Sequence, residues 1–159
     1  MKRVLVAVGL ALALSAPNYA IWQKERLLAS GTPMLLALAP VDPRSLMQGD
    51  YMRLDYAVVR SLTEGKDWPR DGRLVVTLDS SGVARFVRRD APNIALATGE
   101  RLLRYRRRGT RISVGSNAFH FQEGDAARYA RARFGELRVD AQGTSVLVGL
   151  RDASRVPLR

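Results

Sequence analysis

The stretch from Pro40 to Tyr56 mixes polar, aromatic and turn-forming side chains more densely than any other part of the chain. Asp42 and Arg44 can pair across the turn that Pro40 and Pro43 impose, since two prolines three apart block regular structure. Gly49 permits a positive φ or a close backbone approach, and Asp50 can accept hydrogen bonds from a tight turn at the strand entry. Ser45 supplies a hydroxyl, but a serine nucleophile needs a histidine or a lysine of depressed pKa beside it. The only lysine past the N-terminal segment is Lys66, in a polar loop next to Asp67, where it stays protonated. Farther on, His120, Glu123 and Asp125 have the residue types of an acid–base group or a weak divalent site. Acids at a strand-to-helix junction are also how helix starts are built, and that is the favoured reading. His120 is expected either between Phe119 and Phe121 or on the solvent side of their strand. Gly109 to Gly115 lacks the Lys-Ser/Thr ending of a phosphate loop.

Composition narrows the chemistry further. The 159 residues include no cysteine and one histidine, which excludes disulfides, thiolate metal sites, cysteine nucleophiles and multi-histidine centres. With 47% hydrophobic and 26% charged residues, the chain is neither disordered nor a multi-span membrane protein. Its net charge is +11, and of 26 basic residues only Lys2, Lys24 and Lys66 are lysine. Such a balance suits anionic partners, although an arginine skew also reflects genomic base composition. One part of this charge is ordered. On an extended strand Arg104, Arg106 and Arg108 share a face, roughly 7 Å apart by the two-residue rise. Arg101, Leu103, Tyr105 and Arg107 take the other face, and no acid lies nearby in sequence. The row can grip lipid phosphates, or it can blunt an edge strand against aggregation.

The elements that must position these groups begin with an apolar N-terminus. Lys2 and Arg3 precede Val4 to Ala16, thirteen residues without a charge, and the apolar character runs on past Pro17 and Asn18 to Trp22. A basic start followed by a short apolar run fits an export signal, and Ala13-Leu14-Ser15 is a passable cleavage site. Val4 to Trp22 also approaches the roughly 20 residues that cross a bilayer, with Tyr19 and Trp22 placed as an interfacial belt. The uncleaved anchor is favoured. Residues 1–28 are then a membrane anchor or signal segment, and 29–159 an extracytoplasmic domain.

Lys24 to Ser30 predicts a helical continuation that stops at Gly31. Pro33 to Ala39 predicts a buried strand, and the alternation of Met52, Leu54, Tyr56 and Val58 a half-buried one. Thr63 to Gly72 is a polar loop. Hairpins are expected at 73–79/83–89 and 136–140/144–150, with strands at 102–107, 111–114 and 118–121. Asp125 to Arg133 predicts the one helix after the anchor, and the tail from Arg151 is expected to be loose. Short strands with frequent turns predict a mainly β fold, a barrel- or sandwich-like domain with one short helix.

Gly49-Asp50-Tyr51-x-x-Leu54-x-Tyr56 resembles the motif that names the GDYXXLXY family of bacterial membrane-anchored proteins. The run from Pro40 to Ser45, Phe119-x-Phe121-x-Glu123-Gly124, and Gly135 to Val139 are similar to the same family. The resemblance implies one N-terminal membrane segment and an external domain, with Asp42, Arg44, Gly49, Asp50, Tyr51, Leu54, Tyr56 and Glu123 as the candidate functional surface. It implies no reaction. A fainter resemblance is to the strand entry of type I signal peptidases, through Ser45-Leu46-x-x-Gly49-Asp50. There the nucleophile position falls on Val41, which has no hydroxyl, so the likeness extends to architecture and not to chemistry.

These features lead to a single-pass protein of the bacterial inner membrane, its domain facing the periplasm or cell exterior. It is expected to be a non-catalytic module, without cofactor or metal, held by the lipid bilayer through residues 4–22 and docking on another membrane protein. The alternatives are a binder of anionic lipid or lipopolysaccharide headgroups through Arg104, Arg106 and Arg108, and a degenerate signal-peptidase-like hydrolase around Ser45 and Asp50. Nucleic acid is not an expected partner in that compartment, and the oligomeric state stays open.

Overall fold

The computed structural model describes residues 2–39, 47–48, 51–60, 62 and 68–158. The apolar N-terminus and the residues after it form one helix, α1 (Lys2–Ser30), which continues through Pro17. Asn18 Nδ2 donates to the Leu14 carbonyl (2.8 Å) beside that proline. The helix stops at Gly31, as the sequence predicts. Gly31 N–H donates to the Leu27 carbonyl at 2.9 Å, and a Cβ on Gly31 would stand 2.5 Å from that oxygen. β1 (Thr32–Ala37) follows at once, so no linker separates helix from sheet. Among the described residues, which leave out the side chains at 3–5, 7–8 and 11–12, no helix is long and apolar enough to cross a membrane.

The rest is mainly β. The remaining strands are β2 (Met47–Gln48), β3 (Tyr51–Arg53), β4 (Asp71–Leu78), β5 (Ala84–Arg89), β6 (Glu100–Arg108), β7 (Arg111–Val114), β8 (Ala118–His120), β9 (Phe134–Val139), β10 (Ser145–Arg151) and β11 (Pro157–Leu158). They make two four-stranded antiparallel sheets, β1-β9-β10-β11 and β5-β4-β6-β7, and a small sheet β2-β3-β8. Each large sheet turns its apolar alternation inward. Met34, Leu36, Leu137 and Leu150 from one meet Leu74, Val76 and Leu103 from the other, each no more than 1% exposed.

Backbone contacts at the margins join the sheets. Leu35 N–H donates to the Gly82 carbonyl (2.9 Å), and Arg104 N–H to the Gly143 carbonyl (2.8 Å). Gly143 has φ +83°, and a Cβ there would lie 2.9 Å from the Leu102 and Leu103 backbone. Trp68 packs edge-on against Tyr105 at 5.3 Å, over Gly72, where a Cβ also has no room.

Three turns share one device. Asp79, Asp140 and Asp152 each accept the N–H of the residue four ahead on Oδ1, and the residue three ahead has positive φ. In the first two that residue is glycine, Gly82 and Gly143, for which left-handed backbone is unstrained. In the third it is Arg155, with φ 65°.

Four expectations are corrected. The predicted strand Met52–Val58 keeps its inward alternation through Tyr56, then turns into the helical turn α2 (Ala57–Arg60), because the Tyr56 carbonyl accepts the N–H groups of Val59 and Arg60. The buried side chain becomes Val59 and not Val58. The helix expected over Asp125–Arg133 shrinks to α3 (Ala126–Tyr129). Arg133 is drawn out of it by β pairing on both sides, donating to Arg151 and accepting from Leu38. The tail is ordered as far as residue 158, since the Asp152 turn folds β11 back onto β10 and buries Leu158. With α2 and α3, the described residues of the domain hold two short helical turns where one helix was expected.

Replacing Gly82 by alanine tests backbone strain alone, because nothing lies within 4 Å of its added Cβ; the expected cost is about 1 kcal/mol. Gly143→Ala meets both strain and the β6 backbone, and is expected to cost about 2–3 kcal/mol. Urea midpoints of the two variants read the gap, and equal midpoints would show that the contact with β6 is slack.

Candidate functional site

Of the motif residues, Asp42, Arg44, Gly49 and Asp50 lie outside the described residues, as do Val41, Ser45 and Lys66 of the peptidase comparison. The described half of the motif is a fastening. Leu54 N–H donates to the Asn117 carbonyl (2.8 Å), and the Asp55 carbonyl accepts Ala39 N–H (2.7 Å). Residues 54–56 therefore bridge the β7–β8 turn to the end of β1, with a lone antiparallel pairing of Leu38 and Tyr56. Leu54 is 5% exposed and Tyr56 only 2%.

The Tyr56 ring lies over Gly135, whose Cβ would come within 3.0 Å of Cε1, and its hydroxyl donates to the Ser116 carbonyl at 3.0 Å. Gly135 was open to discovery from sequence, because a glycine inside an alternating strand marks a close approach. Tyr51, on β3, is half-buried, with its ring 5.7 Å from that of His120 across the β3–β8 pair. His120 is exposed, and Phe119 and Phe121 instead pack on Tyr129, at 5.0 and 5.2 Å. A cavity of about 200 Å³ opens over the motif, with Leu54, Tyr56, Val59 and Ile112 buried beneath it and Arg53 and Arg111 exposed at its rim.

Glu123 sits in the exposed turn before α3, beside Gly124 at φ +91°. Asp125 pairs with Arg128 (3.3 Å) and makes no side-chain cap on α3. Among the described residues, no three His, Asp or Glu side chains come together as a metal site would need.

The arginine row forms with the alternation predicted. Arg104, Arg106 and Arg108 are exposed, while Leu103 and Tyr105 are buried. No acid is near the row in sequence, but β4 brings Asp71 opposite Arg106 in register, and the two pair at 3.2 Å. Like charges face each other elsewhere, Arg73 opposite Arg104 and Arg111 opposite Arg108. Arg73 is held by Asp90 (3.1 Å). The row lines an open depression of about 470 Å³ together with Asp71, Ser113 and Thr144.

The family model described as GDYXXLXY protein matches residues 13–150. The chain belongs to this family. No curated protein and no solved structure matches it. Of the letters that name the GDYXXLXY family, the last two fall on buried side chains that hold β1, β3 and the β7–β8 turn together. Of the three unspecified positions, Arg53 and Asp55 face solvent, whereas Met52 is buried with Leu54 and Tyr56. The described part of the motif therefore packs Met52, Leu54 and Tyr56 on one side and displays Arg53 and Asp55 on the other.

Burial holds the Tyr56 phenol well above the usual tyrosine range. The folded chain keeps that proton, whereas the unfolded chain releases it near pH 10. Stability must therefore fall as pH rises past about 10, by up to about 1.4 kcal/mol per pH unit from this group. Tyr56→Phe should remove this component, leaving that of Tyr105, whose phenol burial also raises. At neutral pH the variant should lose about 1 kcal/mol with the hydrogen bond to Ser116. Urea midpoints at pH 7 and in the alkaline range measure both effects. An unchanged alkaline slope in the variant would contradict the assignment.

Proposed function

We propose that this GDYXXLXY protein is a membrane-anchored, non-catalytic module that docks on another membrane protein. What supports the anchor is α1. The sequence gives nineteen uncharged residues from Val4 to Trp22, and Val6, Leu10, Leu14, Ile21 and Trp22 are 51–70% exposed along the helix. Apolar side chains with no protein against them need another apolar medium. At 1.5 Å per residue the uncharged length spans about 28 Å, close to the hydrocarbon core of a bilayer. Lys2 and Arg3 then stay on the cytoplasmic side, and the β domain faces the periplasm or exterior.

The observation that carries the docking role is the junction. Leu27 is buried against the domain, Arg138 donates to the Gly31 carbonyl (3.3 Å), and β1 begins at Thr32. A domain fused to its anchor without a linker sits at one height and one orientation above the bilayer. That serves a partner fixed in the same membrane better than one arriving from solution. The motif face with Arg53 and Asp55 is the proposed contact. Its cavity and exposed charges supply shape and polarity, while buried Leu54 and Tyr56 hold it rigid.

Photo-crosslinking groups at Arg53 and Asp55, in the full chain in its own membranes, should give an adduct with one recurrent integral membrane protein. A flexible Gly-Ser insertion between Ser30 and Gly31 should lower its yield severalfold while leaving the chain membrane-bound. Adducts with lipid alone, or a yield indifferent to the insertion, would remove the docking role.

A further inference from the structure

An open groove of about 1020 Å³ separates the second half of α1 from the start of β6. On the helix side it is lined by Tyr19, Trp22, Lys24 and Arg26, and on the sheet side by Arg101 and Arg104, with Leu96 from the connection before β6. All four cations are exposed, and none takes part in an ion pair among the described residues. The two acids that reach the groove are already engaged. Glu100 accepts from Arg88 (2.9 Å) and from Ala97 N–H (3.0 Å), and Asp140 caps its own turn through Gln142 and Thr144. The groove thus presents uncompensated positive charge beside apolar surface. Trp22 stacks on Tyr19 (5.9 Å) beneath Arg26, while Leu96 and nearby Ile94 are 42% and 53% exposed.

We propose that this groove seats the phosphate headgroups of anionic phospholipid from the leaflet next to the domain. Arg101, Arg104, Lys24 and Arg26 meet the phosphates, and Leu96 and Ile94 enter the interfacial layer beside Trp22. The inference rests on the reading of α1 as a bilayer anchor. Charge complementarity selects the occupant, and height selects its source. Tyr19 and Trp22 end the uncharged run, so whatever faces them across the groove stands at the level of the headgroups. The predicted row is thereby divided: Arg104 serves the groove, Arg106 is held by Asp71, and Arg108 lies at the far end of β6.

The cysteine-free chain allows clean single-site labelling. An environment-sensitive fluorophore is attached to the full chain carrying Leu96→Cys or, separately, Trp22→Cys. Each is reconstituted in vesicles of phosphatidylcholine alone and of an equimolar phosphatidylcholine–phosphatidylglycerol mixture. The label at position 96 should be shielded from aqueous acrylamide, an uncharged quencher that the lipid charge does not repel, about fivefold more strongly in the mixture, the factor one arginine contributes near an anionic surface. Arg101→Gln with Arg104→Gln should abolish that difference; both side chains are exposed, so the fold is kept. Equal shielding in both lipids would overturn headgroup recognition. A label open to acrylamide at 96 but shielded at 22 would overturn the groove and leave the anchor standing. Labels open at both positions would overturn the anchor and the groove together.

Discussion

Two curled sheets can share one core only where their margins meet closely enough to exclude water, and here that closure depends on backbone against backbone. Gly143, in the turn between β9 and β10, lies so near Leu102 and Leu103 that no side chain fits between them, and its carbonyl takes the N–H of Arg104. At another margin Leu35 N–H reaches the Gly82 carbonyl, there with open space around the glycine. Both glycines occupy the same place in the same aspartate-capped turn. One local device therefore shapes each hairpin and frees the carbonyl that joins it to the other sheet. Leu74, Leu103, Met34 and Leu137 are fully buried because these two contacts close the margins around them.

The motif segment closes what the sheets leave open. Tyr56 spans from β1 to the β7–β8 turn, with its ring on Gly135 and its hydroxyl on Ser116. A buried tyrosine retains a polar end that must be satisfied, so it fixes position more tightly than phenylalanine of the same shape. Residues that hold a fold in this way tolerate little change, whereas the side chains of their outward neighbours Arg53 and Asp55 carry none of this packing.

Much of this architecture was legible in the sequence. The stop at Gly31, the hairpins around Asp79 and Asp140, and the inward alternation of Met52, Leu54 and Tyr56 follow from turn chemistry and two-residue periodicity. The departures share a cause. The tail looks loose because its turn, Asp152-Ala-Ser-Arg155, lacks the glycine of its two counterparts, and tertiary pairing with β10 imposes the positive φ regardless. The alanine-rich stretch after Asp125 favours helix locally, but its end is claimed by pairing with Leu38 and Arg151. Arg106 looks free of acids because Asp71 is distant in sequence and adjacent only through β4 register. Local rules saw local structure; partners brought by register stayed hidden. The candidate surface was half legible for a different reason, since Leu54 and Tyr56 were placed on the inward face by spacing while the depressions around them depend on which strands become neighbours.

Charge placement links fold to location. A chain carrying eleven net positive charges gains nothing in stability from them, and several of its arginines face one another across β4, β6 and β7. Self-repulsion of this kind persists when an outside field offsets it. Several of the described acids are spent close to the backbone: Asp79, Asp140 and Asp152 cap turns, while Glu100 and Glu136 are held by Arg88 and Arg151. Negative charge is thus consumed in shaping the fold, and positive charge is left on its surface. Under the proposed anchoring, such a surplus would turn from a cost into an orienting force beside an anionic bilayer. Because α1 enters β1 without a linker, that force would act on the domain as a rigid whole, and the side that settled against lipid would determine which side remained open to the proposed partner.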